Sequence, residues 1–195
     1  MGENYFGIEE AVNAFGIKPT PAQLSALSEV PFTEIELRER RQTHILVAVF
    51  PLSIIEIRDK VAHSLFFDPR WYEKESFAAL RGDASWQLIR KMPVPNSTNK
   101  NWREQQMLLE QNEEVPTARV MVYAIIGHYL HTGERLLGNT YNRCSDLDSR
   151  GDRVRVGDFV APFGLRIGHN CDGCGESRLG VSSFLKPSQG MPGKS

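Results

Sequence analysis

The chain has 195 residues, 23 basic and 24 acidic, for a formal net charge of −1. That length supports one compact domain, with or without an extension, and excludes a large multidomain machine. Charges so evenly balanced give no electrostatic footprint for a nucleic acid or an anionic membrane surface. Three cysteines are too few, and odd in number, for a disulfide framework. The apolar runs HILVAVF (44–50) and VMVYAIIGHYL (120–130) are too short to span a bilayer. The first ten residues lack the basic start and apolar stretch of a secretory leader, and Phe6 stands where a myristoylation signal wants Ser or Thr. The chain therefore reads as soluble and as cytoplasmic or virion-associated rather than secreted.

Residues 1–32 hold Gly, Ser and prolines around two weak apolar patterns, which predicts a small helical or irregular extension. From Thr33 the pattern sharpens. Thr33 with Glu36, and Ser53 with Glu56, have capping-box spacing, so helices are expected to start after each. HILVAVF between them reads as a strand buried on both faces. Ile54, Ile57, Val61 and Leu65 give the second helix one buried stripe as far as Asp68-Pro69. WQLIRKMPV (86–94) predicts a short strand ended by prolines, and WREQQMLLEQNEE (102–114) a helix that stops before Pro116. Residues 117–134 form the strongest helix, apolar on nearly every side, starting at Pro116-Thr117 and closed by Gly133 as C′ residue.

Beyond Leu137 short alternating fragments appear, TYNRCS, RVRVGDFV, GLRIG and LGVSSFL, separated by turn residues. They predict a C-terminal antiparallel sheet of consecutive strands and a frayed tail over 188–195. The fold class is α+β, helices first and sheet last.

The last third has an unusual composition. Glu, Lys, Gln, Met and Trp together account for 38 of the 195 residues, so about eight would be expected in the 42 residues from Asn142 to Ser183; Glu176 stands there alone. Turn-rich β structure disfavours such helix formers. An adenine-adenine-pyrimidine codon randomised at its adenines also yields none of them, whereas it yields the Gly, His, Asn, Cys, Asp, Ser and Arg that fill 166–178. On either side Leu165 and Ile167, then Leu179 and Val181, keep strand alternation.

The series VPTARVMVY, TGERLL, YNRCS, RVRVGDF, GLRI and LGVSSFLKP resembles the C-terminal half of the variable proteins of diversity-generating retroelements, over roughly residues 83–187 and best from 141 onward. The resemblance implies a C-type-lectin-like domain, related to the formylglycine-generating-enzyme fold, over 33–187, with a variable segment at about 141–183. It implies non-catalytic binding of a protein or cell-surface ligand, without nucleic acid or membrane insertion. The variable, ligand-facing positions would be Asn142, Cys144, Arg166, Gly168, His169, Asn170, Cys171, Gly173, Cys174, Gly175 and Ser177. The segment HNCDGCG departs from the family in carrying few aromatic and acidic residues. Replacing His169, Asn170, Gly173 and Ser177 together is expected to change stability by less than about 1 kcal/mol.

Other chemistry stays open at this stage. Cys144, His169, Cys171 and Cys174 supply the ligand number of a tetrahedral zinc, which would make a zinc-binding module or small zinc enzyme. A redox CxxC wants a helix start, and Gly173 and Gly175 oppose one. Asp146, Asp148, Asp152 and Asp158 could serve calcium or simply make turns. His128 and His131 fit a helix end or the core better than a metal site. Ser85, Ser97 and Ser145 lack a nucleophile-elbow context. RERRQTH (38–44) is interleaved with glutamate and reads as a solvated helix face.

Overall fold

In the computed structural model, which describes residues 2–187, the chain builds two sheets around one continuous apolar core. The first half contains β1 (Tyr5–Phe6), α1 (Ile8–Phe15), α2 (Pro21–Ala26), α3 (Glu34–Arg40), β2 (His44–Val49), α4 (Ile54–Lys60), α5 (Ser76–Ala79) and β3 (Ser85–Arg90). The second contains α6 (Trp102–Gln106), β4 (Glu113–Glu114), α7 (Ala118–Thr132), β5 (Tyr141–Leu147), β6 (Arg153–Val160), β7 (Gly164–Asn170), β8 (Leu179–Val181) and β9 (Phe184–Leu185). One sheet has the order β1-β2-β3-β9-β4 and the other β7-β6-β5-β8. The α+β class is shown. No helix among the described residues is long and apolar enough to cross a membrane.

Local chemistry sets the helix starts. Thr33 and Ser53 accept from the backbone N–H of Glu36 and Glu56, whose carboxylates accept the Thr33 and Ser53 amides in return. Thr117 caps α7 through Val120 N, and Gly133 closes it in the left-handed region at φ +77. Every residue of α7 from Ala118 to His128 is buried, which is why its apolar pattern runs around the whole helix. β2 is buried at all six positions, and full burial of each aliphatic side chain contributes about 1.5–3 kcal/mol. The Tyr123 hydroxyl donates to Ala48 O at 3.1 Å, tying α7 to β2.

Four expectations need correction. Residues 1–32 are not an appended extension: β1 pairs in parallel with β2, and Phe6, Phe15, Leu27 and Phe32 belong to the core. A two-residue strand carries no periodicity that a sequence could reveal. The helix expected over 102–114 ends at Gln106, because Gln105 is drawn inward to the carbonyls of Ser97 and Leu179 and the chain then turns into β4. The helix from Ser53 ends at Lys60, and its expected last apolar residue, Leu65, lies in a separate 3₁₀ turn. The C-terminal strands are not a simple antiparallel meander: β5, β6 and β7 are antiparallel, β8 runs parallel to β5, and β9 crosses into the other sheet between β3 and β4. The tail expected to fray, 188–195, lies outside the described residues.

His44 opens β2 and is 3% exposed. Burial, helped by the charges of Arg90 and Arg40 and opposed by Glu113, pulls its pKa from the ordinary 6.5 to about 4. Between these values the unfolded chain binds the extra proton. His44 therefore favours folding fully above pH 6.5, and about 3 kcal/mol is lost as pH falls toward 4. Urea unfolding of the parent chain and of His44→Asn at pH 7 and pH 4.5 checks this: the parent is expected to lose more stability than the variant, and equal losses would refute it.

Candidate functional site

β5 brings three consecutive polar residues, Asn142, Arg143 and Cys144, into the sheet, all at 0% exposure. Alternation turns Asn142 and Cys144 to one face and Arg143 to the other. Cys144 joins the apolar core, and burial pushes its thiol pKa well above the ordinary value. The Asn142 side-chain amide is buried with no hydrogen-bond partner among the described residues. Both had been expected on the ligand face. They are corrected to core positions because the strand is covered on both sides, by the core on one and by the 171–178 loop on the other.

Arg143 holds that loop from beneath. Its Nη1 donates to Lys100 O at 3.1 Å and to Gln105 Oε1 at 2.9 Å, and its Nη2 donates to Cys171 O at 3.0 Å and to Cys174 O. Burial lowers the guanidinium pKa, with Asp172 and Glu176 opposing the shift. Around this anchor, Arg153 forks onto Asp172 at 3.0 and 2.8 Å, and Arg155 pairs with Glu176 at 2.8 Å. Arg178 pairs with Asp158 and donates to Asn139 O at 2.8 Å. Cys171 and Cys174 form a disulfide with Cα atoms 5.4 Å apart.

The other expected positions divide into tied and open ones. Asn170 is 8% exposed and donates to Glu176 Oε1 at 2.5 Å, so it belongs with the supports rather than with the replaceable set. At Gly175 a Cβ would lie 2.9 Å from the backbone C and O of Asn99, so any side chain there forces the two segments apart. Gly173 has open space, and Ser177 is exposed. Gly168 would meet only the flexible Arg155 side chain. His169 is partly exposed beside the Trp71 ring at 5.2 Å, and Arg166 lies over Phe67 at 4.1 Å and near Asp158 at 3.4 Å.

The residues considered for zinc do not converge. Cys171 and Cys174 are bonded to each other and Cys144 lies in the core. Among the described residues, the group with metal-ligand spacing is Asp148, Asp152 and His169. Arg150 Nη2 sits among them, 2.7 Å from His169 Nε2 and 3.3 Å from Asp148 Oδ2, so a guanidinium already supplies the positive charge. Burial disfavours the Asp148 anion, but the amides of Asp152 and Arg150 outweigh it and its pKa falls below the ordinary value. Asp146 instead accepts the Ala118 amide at the start of α7, and Asp158 serves Arg178 and Tyr141. His128 is fully buried against Glu134 at 2.8 Å, and His131 lies at the edge of Phe6.

The disulfide closes a very short loop, so its chain-entropy contribution is about 1–2 kcal/mol. Reduction, or Cys171→Ser with Cys174→Ser, is expected to lower the unfolding free energy from urea titration by that much while leaving 171–178 protected from hydrogen exchange, since Arg143 still holds both carbonyls. Sequence reasoning missed Arg143, Asp172, Glu176 and Arg178. The signal was their position between the expected variable residues. No known family, no curated protein and no solved structure matches this chain.

Proposed function

We propose that this chain is a ligand-binding variable protein of the diversity-generating-retroelement type. It presents residues 166–178 as a changeable recognition surface on a C-type-lectin-like scaffold, and it binds without catalysing. One observation carries the reading. Within the segment, four side chains that fasten the loop (Arg143, Asp172, Glu176 and Arg178) lie outside the set expected to vary and alternate with open positions such as Gly173 and Ser177, while Asn170 and the Cys171–Cys174 disulfide are the fastened members of that set. A loop fastened at its carbonyls and charged supports can change its exposed side chains without changing its path, as antibody loops do on their sheets. The exposed Phe67 and Phe163, with Arg166 between them, supply aromatic and guanidinium anchors of the kind that dominate protein interfaces.

Sequencing the coding segment for 141–183 and its flanking DNA across a population of the source tests this. The expected result is a reverse-transcriptase gene and a near-copy of the segment, with differences concentrated at adenines of the copy and falling on codons for open positions. An invariant segment with no such copy would overturn the proposal.

A further inference from the structure

On the other sheet, α3 leaves a cavity of about 260 Å³ over one face of β2 and β3. Its floor is Leu46 and Leu88, paired across the two strands, with Leu37 from α3. Arg38, Arg40, Arg41 and His44 supply its polar lining, and Asn4 completes the wall. Asn4 is itself fixed, donating to Arg41 O at 2.7 Å and accepting from Lys91 Nζ at 2.7 Å.

The polar lining is short of acceptors. Arg40 pairs through Nη2 with Glu110 at 3.1 Å, yet its Nε is buried without a partner among the described residues. Arg38 and Arg41 are exposed and form no ion pair with a described residue. His44 makes one side-chain contact, between Nδ1 and the Thr43 hydroxyl at 2.8 Å. The Thr43 hydroxyl also donates to Arg40 O at 3.4 Å, so it bridges the His44 ring and the Arg40 carbonyl. His44 Nε2 is buried with no hydrogen-bond partner among the described residues, a costly state for a ring nitrogen. The groups that face the ring are Arg90 from β3, Arg40 from α3 and Glu113 from β4, and the last is engaged by Arg90 and Ser183.

We infer that this cavity binds a small organic anion, a carboxylate on a compact apolar body, with the carboxylate between the arginines beside the His44 ring and the body on the leucines. The volume is adequate, since an apolar cavity of about 150 Å³ accommodates benzene. Three guanidinium groups suit a carboxylate, and the leucine floor distinguishes this site from one for a bare inorganic anion.

Benzoate and inorganic phosphate are the probes, titrated into the full chain and followed by calorimetry and by the His44 imidazole resonances. Saturable benzoate binding that moves the His44 signals is expected. It should weaken by about tenfold or more in Arg38→Ala with Arg41→Ala, the loss of at least one charge-assisted hydrogen bond. Both arginines are exposed, so the variant is expected to keep the parent's melting temperature, and that is measured alongside. Absence of saturable benzoate binding, unchanged affinity in the folded double variant, or phosphate binding as tightly as benzoate would each overturn the assignment. None of these outcomes bears on the 166–178 surface.

Discussion

Replacing Arg143 with methionine is expected to lower folding stability by about 4–5 kcal/mol, more than any other single change in the loop region. The methionine can fill the space of the aliphatic stem, but four acceptors then lose their donor, the buried Gln105 Oε1 and the partly buried Lys100 O, Cys171 O and Cys174 O. Gln105 also ties α6 to Ser97 and Leu179, so the loss spreads from the loop to the α6 segment. Urea unfolding gives the magnitude, and hydrogen exchange should show 171–178 losing its protection. A loss under about 1 kcal/mol with protection intact would mean that Arg143 is not the anchor.

The second large effect is expected at Gly157, where Gly157→Ala should cost about 4 kcal/mol or prevent folding. Gly157 stands at φ +156 in the middle of β6, opposite Tyr141 of β5 and Arg166 of β7. A Cβ there would overlap Thr140 O and lie 2.8 Å from Tyr141 Cα, both backbone atoms with no rotamer to yield. The same close approach lets Asp158, at φ +50, donate its amide to Thr140 O at 2.8 Å. It also lets the Asp158 carboxylate face Arg178 and the Tyr141 hydroxyl. The variant should therefore lose stability and loosen the Arg178 end of the loop together. Near-parental unfolding would show that β5 can move aside without loss.

The contrast between these two residues and the open positions explains what could be read from the sequence and what could not. α7 and β2 were legible because burial on every side leaves an apolar run, and the starts of α3 and α4 and the end of α7 were legible because the Thr33 and Ser53 side chains and the left-handed Gly133 backbone cap them locally. The inward turn of Asn142 and Cys144 was not legible. Three polar residues in a row give no phase to a period of two, and a shift of one residue exchanges the faces. Arg143 was hidden for a related reason: its partners are mostly backbone carbonyls, which every residue has, so no partner residue type signals the contact. Residues 1–32 misled because Phe6 enters the core through a strand two residues long. The stretch after Gln106 misled because Met107, apolar and helix-favouring, is 77% exposed.

The supports also set the limits of variation in the proposed surface. Gly175 and Asn170 are constrained by Asn99 and Glu176, Asn142 and Cys144 by burial, Cys171 and Cys174 by their disulfide, and Arg166 by Phe67 and Asp158, which leaves Gly168, His169, Gly173 and Ser177 as the positions where side chains can change at little cost. A library randomised at those four, with the rest of the chain fixed, measures this directly through the melting temperatures of its unselected clones. Most clones are expected to melt within about 4 °C of the parent, which for a chain of this size is about 1 kcal/mol. If most clones instead melt far below it or fail to fold, the loop depends on its own exposed side chains and a changeable surface on a fixed frame is contradicted.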